Sequence, residues 1–212
     1  MKDKAKDKTI IGLTGTYCAG KNHVALLLEK RGLPVLDVDK LGYKAIESEK
    51  KTILGRFGDN ILGNDGLIDR KKLGAKVFGR PAELAALEEI IHPVANRETL
   101  SWINGLKEKA CVVNAALLHR SSAFPELDAV IIVEAPFLVR LLRARKRDHL
   151  PWGALLKRFG SQKKFTSQYF RGKTDIYRVE NSGDFSFRTG FHRNKLETRI
   201  DEILSLKGIS RV

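Results

Sequence analysis

Residues 10–21 read IIGLTGTYCAGK, a short apolar run that leads into a glycine-rich loop ending in lysine. Gly15, Gly20 and Lys21 fit the G-x-x-x-x-G-K part of the phosphate-binding loop pattern. Glycines allow backbone N–H groups to curl around phosphate oxygens, and the helix that follows directs its positive end at the same anion. The stretch therefore predicts a nucleotide-phosphate site between a strand and a helix.

Further apolar runs predict the rest of the fold. Residues 24–31 have helical composition, and Gly32 is a plausible helix stop. Five short runs predict strands: 10–14, 34–39, 111–114, 129–133 and, more weakly, 176–179. Strands separated by helical stretches are typical of parallel sheets. We therefore expect an α/β fold, a three-layer phosphate-loop core around a five-stranded parallel sheet.

Long intervals between the predicted strands indicate insertions into this core. We predict a disordered tail over 1–9 and a core built from 10–40, 110–137 and 174–212. Residues 41–109 contain helical patterns, such as 82–91, and a turn signal at 63–66, so they predict a helical insertion. Residues 138–173 predict a second helical insertion.

The positive charge of the chain is concentrated in the second insertion. The chain has 39 Lys and Arg against 25 Asp and Glu, a net charge of +14. Residues 138–173 hold eleven basic residues and one acid, Asp148, and so carry ten of those charges. Such a local excess favours a lid over phosphates. A basic face for nucleic acid is the alternative, and it is less favoured.

Other classes of protein are disfavoured by composition. No apolar run approaches the roughly 18 residues of a membrane span, and the first nine residues lack the apolar stretch of a signal peptide. The two cysteines, Cys18 and Cys111, do not form a disulfide framework. We expect a cytoplasmic protein without a membrane partner, and the sequence does not indicate an oligomeric state.

The loop supplies the predicted nucleotide contacts. Lys21 can neutralise charge on the β- and γ-phosphates, and Asn22 stands where the pattern has the Ser or Thr that holds Mg²⁺. An amide oxygen can ligate Mg²⁺, with altered geometry, so Asn22 is the candidate metal residue. His23 is either a ligand or an ordinary helix-start residue. The predicted cofactor-binding set here is Gly15, Thr16, Tyr17, Cys18, Ala19, Gly20, Lys21, Asn22 and His23.

Two aspartates follow the second predicted strand. Asp37 and Asp39 are two residues apart, so in an extended chain their side chains point to the same side of the sheet. Ligands of open α/β sheets bind at the carboxyl ends of strands, where a carboxylate can accept the proton of an attacking hydroxyl. Either residue could instead be solvated, and Asp39 could cap a helix.

Several motifs in order resemble the dephospho-CoA kinase family. The opening GLTG, GK and VLDVD are similar to the family's GLTGGIGSGKST and V-I-D-A-D. The resemblance continues through the segments that follow: RFG at 56–58, DGLIDRKKL at 65–73, VF at 77–78, HPV at 92–94, Arg143 with Arg147–Asp148, and VENSG at 179–183. The matches run from about residue 10 to 185.

The resemblance implies a reaction and roles for residues. ATP, with Mg²⁺, would phosphorylate the ribose 3′-hydroxyl of dephospho-CoA, the insertion 41–109 would hold that substrate, and 138–173 would form the lid. Asp39 would be the base, with Lys21 and Arg143 also catalytic. The further roles implied are nucleotide binding by Arg147 and Asn181, and substrate binding by Asp37, Asp39 and His92. His92 precedes a proline, so a helix end is the alternative interpretation.

Departures from the family pattern leave alternatives open. Besides Asn22, the family's D-x-P-L-L-F-E after the third strand reads NAALLHR here, so Asn114 and Arg120 replace two acids. A nucleotide- or CoA-binding relative with weak or no activity is one alternative. A phosphate-loop kinase for another small metabolite is the other.

Overall fold

The computed structural model describes residues 8–121, 123–161, 169, 174–182 and 191–209. Residues 1–7 of the predicted tail lie outside this range, and Thr9 already belongs to the first strand. The strands are β1 Thr9–Gly15, β2 Val35–Asp37, β3 Ala110–Asn114, β4 Ala129–Glu134 and β5 Asp175–Glu180. The helices are α1 Lys21–Glu29, α2 Val38–Ser48, α3 Lys50–Phe57, α4 Arg70–Val77, α5 Pro81–Gly105, α6 Phe137–Asp148, α7 Trp152–Ser161 and α8 Phe191–Leu206.

The five strands form one sheet in the order β2-β3-β1-β4-β5. β1 pairs in parallel with β3 and β4, and β4 pairs in parallel with β5. The α/β prediction with a five-stranded sheet is confirmed. Because parallel strands end at the same edge, the loop that leaves β1 lies at the carboxyl edge of the central strands.

The core of the sheet explains the apolar runs of the sequence. Every residue of β3 is buried, as are the first five of β4, since helices cover both faces of a parallel sheet. The apolar side chains of α1 and α8 belong to the same buried cluster as β1, for example Leu28 and Ile203. This packing fixes the end of β1 and the start of α1.

The chain divides into two compact units. The first comprises residues through Leu36 and those from Lys107 onward, and the second is Asp37–Leu106. The second unit contains α2 to α5 and has its own apolar cluster, whose fully or nearly fully buried members are Ile46, Ile53, Phe57, Ile61, Ile68, Leu73, Val77 and Leu87. The turn predicted at 63–66 is confirmed, with the Gly66 N–H donating to the Gly63 carbonyl at 3.1 Å.

One of the two alternative interpretations of His92 is wrong. His92 does not end a helix, because α5 continues through Pro93 to Gly105. The bias of a residue before proline away from helical geometry is only a preference. Here the buried face of α5 lies on both sides of the proline, at Leu87 and at Ala95, and this packing carries the helix through.

Candidate active site

The phosphate loop spans Thr16–Gly20, between the last residue of β1 and the first of α1. Cys18 and Gly20 adopt positive φ angles of 59° and 93°, which turn the chain back on itself. The Ala19 N–H donates to the Thr16 carbonyl at 2.9 Å, and the Thr16 N–H donates to Val133 of β4 at 3.1 Å. The loop is thus a tight curl attached to the sheet.

Glycine is required at position 20 for two reasons. Its φ is one that L side chains rarely adopt. A Cβ atom there would also lie 2.1 Å from the Asn181 side-chain nitrogen. Since Asn181 approaches this closely, any side chain at position 20 would displace it.

Two of the predicted residues meet the loop at the Ala19 carbonyl. Asn181 donates from Nδ2 to this oxygen at 2.9 Å, and Arg143 donates from a guanidinium nitrogen at 3.2 Å. Arg143 also donates to the Asn181 carbonyl at 3.0 Å. Burial lowers the pKa of Arg143, which stays charged because its usual pKa is so high. The structure therefore brings together residues from β1–α1, α6 and the end of β5.

The first turn of α1 presents Lys21, Asn22 and His23. Lys21 is half-buried, whereas Asn22 and His23 are exposed. This turn contains no acidic residue, so the positive end of the helix is uncompensated from within α1. Lys21 adds a full positive charge at the same place. The arrangement suits a polyphosphate anion.

The second loop-facing arginine, Arg147, is held by an acid. Its guanidinium donates to Asp148 at 2.7 Å and lies 5.2 Å from the centre of the Tyr17 ring. The ion pair raises the pKa of Arg147 and lowers the pKa of Asp148. Both groups are therefore charged at neutral pH.

The predicted geometry of the two aspartates is wrong. β2 ends at Asp37, and Asp39 lies in the first turn of α2, so the two side chains do not share one side of a strand. Asp37 takes the helix N-cap position with extended geometry, but its side chain makes no capping hydrogen bond. Its Oδ1 is buried and has no hydrogen-bond partner among the residues that the structure describes. The Lys40 ammonium lies 4.0 Å from its other carboxylate oxygen, Oδ2.

Two polar groups at the carboxyl edge of the sheet were not predicted as site residues. Asn114 ends β3 and is buried, and its Oδ1 has no partner within the described part of the chain. Tyr169 is also buried, with its hydroxyl 3.4 Å from Thr14 Oγ1 and 3.3 Å from His119 Nδ1. No periodic pattern surrounds Tyr169 in the sequence. Asn114 was visible only as a departure from the family pattern.

Within the described residues, no group of three or more His, Cys, Asp or Glu side chains could hold a metal ion. The same residues include no helix that is both long and apolar enough to cross a membrane. Both cysteines carry free thiols.

Comparisons with known proteins identify the family of this chain. A sequence model of dephospho-CoA kinase matches residues 9–185. The dephospho-CoA kinase of Treponema denticola is 33% identical over 190 residues, which cover 84% of this chain and 85% of that protein. The enzyme of the same name from Treponema pallidum is 30% identical over 210 residues, or 94% and 96% of the two chains.

A solved structure shares the fold over most of the chain. The crystal structure of TT1252 from Thermus thermophilus superposes with a TM-score of 0.76 at 29% identity, covering 93% of this chain and 97% of that one. The resemblance inferred from the motifs is confirmed. The chain therefore belongs to the dephospho-CoA kinase family of phosphate-loop kinases.

Proposed function

We propose that this chain transfers the γ-phosphoryl group of ATP to the ribose 3′-hydroxyl of dephospho-CoA, giving CoA and ADP. The observation that carries the proposal is the family match over residues 9–185, which includes the G-x-x-x-x-G-K part of the phosphate loop. ATP and dephospho-CoA are its small-molecule partners. The proposed compartment is the cytoplasm, because the two cysteines of the sequence do not form a disulfide framework.

The loop and the start of α1 would bind the triphosphate. Backbone N–H groups and the positive helix end favour the anion, and Lys21 supplies charge where negative charge develops during transfer. Arg143 and Asn181 would act at the same place, because both bind the Ala19 carbonyl and hold the curl of the loop. Arg147 would supply a further cation from α6.

The family resemblance assigns the base to Asp39, with Asp37 and His92 on the substrate. Asp39 lies in the first turn of α2, where the helix end favours a carboxylate. Asp37 offers a buried oxygen without a hydrogen-bond partner among the described residues, and buried acceptors are rarely left unpaired. That oxygen supports a role for Asp37 in binding a substrate hydroxyl.

A magnesium ion fits this site as a hydrated ion carried by the nucleotide. Mg²⁺ keeps several waters and binds proteins through few oxygen ligands plus substrate phosphates. The neutral amide oxygens of Asn22 and Asn114 suit such a role, and the buried Asn114 oxygen has the free acceptor capacity that a metal-bound water needs. Bound there, the ion would neutralise charge on the β- and γ-phosphates.

One experiment tests the reaction. Purified protein is incubated with ATP, Mg²⁺ and dephospho-CoA, and the products are separated by liquid chromatography. Formation of equal amounts of CoA and ADP is expected. A parallel incubation without dephospho-CoA measures ATP hydrolysis alone and serves as the control.

A second candidate function is nucleotide or CoA binding with weak or no catalysis. It is favoured by Asn22 and Asn114, amides at two positions where the family pattern has a hydroxyl and an acid. ATP binding without CoA formation would support this alternative against the kinase.

Formation of ADP with shikimate or a nucleoside, but not with dephospho-CoA, would instead indicate another acceptor.

A further inference from the structure

The side chain of Tyr17 connects the phosphate loop to the two basic helices. Its hydroxyl donates a hydrogen bond to the Asp148 carboxylate at the end of α6. Arg147 lies 5.2 Å and Arg158 5.9 Å from the centre of its ring. Phe159 of α7 meets the same ring edge to face, with 5.2 Å between centroids. Tyr17 is thus surrounded by groups from α6 and α7.

The apex of the loop also packs on an apolar cluster formed by these helices. Ala144, Leu155 and Phe159 are its buried members, and the side chains packed against them are Tyr17, Cys18, Leu141 and Leu150. A loop that only presented its backbone to phosphates would not need this packing. The middle of the loop is therefore attached to α6 and α7 through side chains.

One acid organises the positive charge around Tyr17. Asp148 is the single acidic residue between 138 and 173. It binds Arg147 at 2.7 Å and Arg158 at 3.4 Å, and it accepts the hydrogen bond from Tyr17. Arg158 also donates to the Tyr17 hydroxyl at 3.4 Å. The phenol and the carboxylate together hold two guanidinium groups beside the loop.

The charge states of the pair keep this arrangement intact at neutral pH. Burial raises the pKa of Tyr17, so its hydroxyl remains a protonated donor. The Arg147 guanidinium lowers the pKa of Asp148, so its carboxylate remains an ionised acceptor. A role as a stacking platform for the nucleotide base is disfavoured, because guanidinium groups and Phe159 already contact the ring.

We propose that Tyr17 is a positioning residue for phosphoryl transfer, which orients Arg147 and Arg158 beside the phosphate loop before ATP arrives. Long arginine side chains lose conformational entropy when they bind an anion, and prior ordering reduces that cost. The inference rests on the proposed function for the identity of the nucleotide. It assigns a role to the Tyr17 side chain that is separate from the backbone cradle.

The test measures nucleotide binding without any acceptor substrate. Tyr17→Phe removes only the hydroxyl and keeps the ring on its apolar cluster. We expect the dissociation constant for Mg-ATP, measured by calorimetry, to rise about three- to tenfold. AMP, which lacks the β- and γ-phosphates, should bind within about twofold of its normal affinity. Tyr177→Phe, the same change on β5, is the matched control and should leave both affinities unchanged.

A double-mutant cycle tests whether Tyr17 acts through the acid. Asp148→Asn should weaken ATP binding at least as much as Tyr17→Phe does. Adding Tyr17→Phe to the Asp148→Asn variant should change the affinity for ATP by less than about twofold. The proposal is overturned if Tyr17→Phe binds ATP with normal affinity, or if its affinity for AMP falls as much as its affinity for ATP. It is also overturned if the fold-changes of the two single variants multiply in the double variant. Should Tyr17→Phe fail to fold, normal ATP affinity in Asp148→Asn would overturn it. If the wild-type protein formed no CoA, the proposed function would be rejected, but the ATP-binding measurements on Tyr17→Phe would still test the role of Tyr17.

Discussion

The phosphate loop and the junction between β2 and α2 carry the two halves of the proposed chemistry, and the sequence predicted them unequally. The loop begins and ends where the pattern places it, with Gly15 ending β1 and Lys21 starting α1. At the junction, the expected strand 34–39 stops at Asp37 and a helix begins at Val38. The phosphate-loop motif predicted the backbone conformation correctly, and the motif at 34–39 did not.

Local backbone chemistry explains the difference. Gly20 needs a positive φ and leaves no room for a Cβ, so the residue type itself determines the geometry. Val38 favours extended structure by intrinsic preference, and no glycine or proline marks the end of β2. Tertiary packing overrides this preference, because α2 packs against α5 within the second unit and buries Ala45 and Ile46. Mutations in the loop and at the junction should therefore change different kinetic constants.

The largest effect is expected at the loop. Lys21→Ala removes the positive charge proposed to face the β- and γ-phosphates, and we expect kcat/KM to fall by about 10³-fold or more. The measurement is steady-state CoA formation, with ATP binding followed separately. Lys30→Ala, at the other end of α1, is the matched control. Unchanged turnover in Lys21→Ala would show that the loop does not act as a phosphate site.

The next effect tests the junction. Asp39→Asn removes the proposed base while keeping the size of the side chain, and we expect kcat to fall by about 10²-fold with ATP affinity preserved. Asp37→Asn should mainly raise the KM for dephospho-CoA, because its buried oxygen is proposed to bind substrate. Asp59→Asn is a control for the same change at an exposed aspartate. If Asp37→Asn lowers kcat more than Asp39→Asn, the two roles are reversed.

What the sequence predicts follows the same division. The strands and the loop follow from apolar runs and motif spacing, and roles for Arg143 and Asn181 in the nucleotide site were implied by the family resemblance. The burial of Asp37 Oδ1 and Asn114 Oδ1 does not, since it depends on which side chains surround them in the folded chain. The attachment of Tyr17 to Asp148 was equally hidden, because 131 residues separate the two. Sequence patterns specify the backbone where a residue type such as Gly20 requires one conformation, whereas side-chain partners are set by tertiary packing.

A smaller effect is expected where the loop is supported from outside. Asn181→Ala removes the 2.9 Å hydrogen bond to the Ala19 carbonyl, but Arg143 still binds that oxygen. We expect the KM for ATP to rise about five- to tenfold and the free energy of unfolding to fall by about 1 kcal/mol. Thermal unfolding and ATP titration check the two values. Ser182→Ala, at the half-buried next residue, whose hydroxyl donates to Glu180, should leave the KM for ATP unchanged. An unchanged KM for Asn181→Ala would mean that the loop keeps its curl without this support.

The smallest effect is expected at Asn22, the one position where the loop departs from its own pattern. Asparagine places its oxygen one bond further out than serine does, and Mg²⁺ tolerates poor geometry badly. Asn22→Ser should therefore lower the Mg²⁺ concentration for half-maximal activity by about two- to fivefold. ATP binding without metal should stay constant, since the backbone cradle and Lys21 are untouched.

Three outcomes at Asn22 have different meanings for the comparison of the two regions. A lower Mg²⁺ concentration for half-maximal activity in Asn22→Ser, but not in Asn22→Ala, would show that an oxygen at this position contacts the metal or its waters. Equal metal titrations for all three proteins would mean that the side chain never contacts the ion, and the metal proposal for Asn22 would be withdrawn. A loss of activity in Asn22→Ser, with Asn22→Ala equally impaired, would mean that the amide itself is required. In that case the start of α1, like the junction between β2 and α2, would depend for its function on a side chain that the sequence motif does not predict.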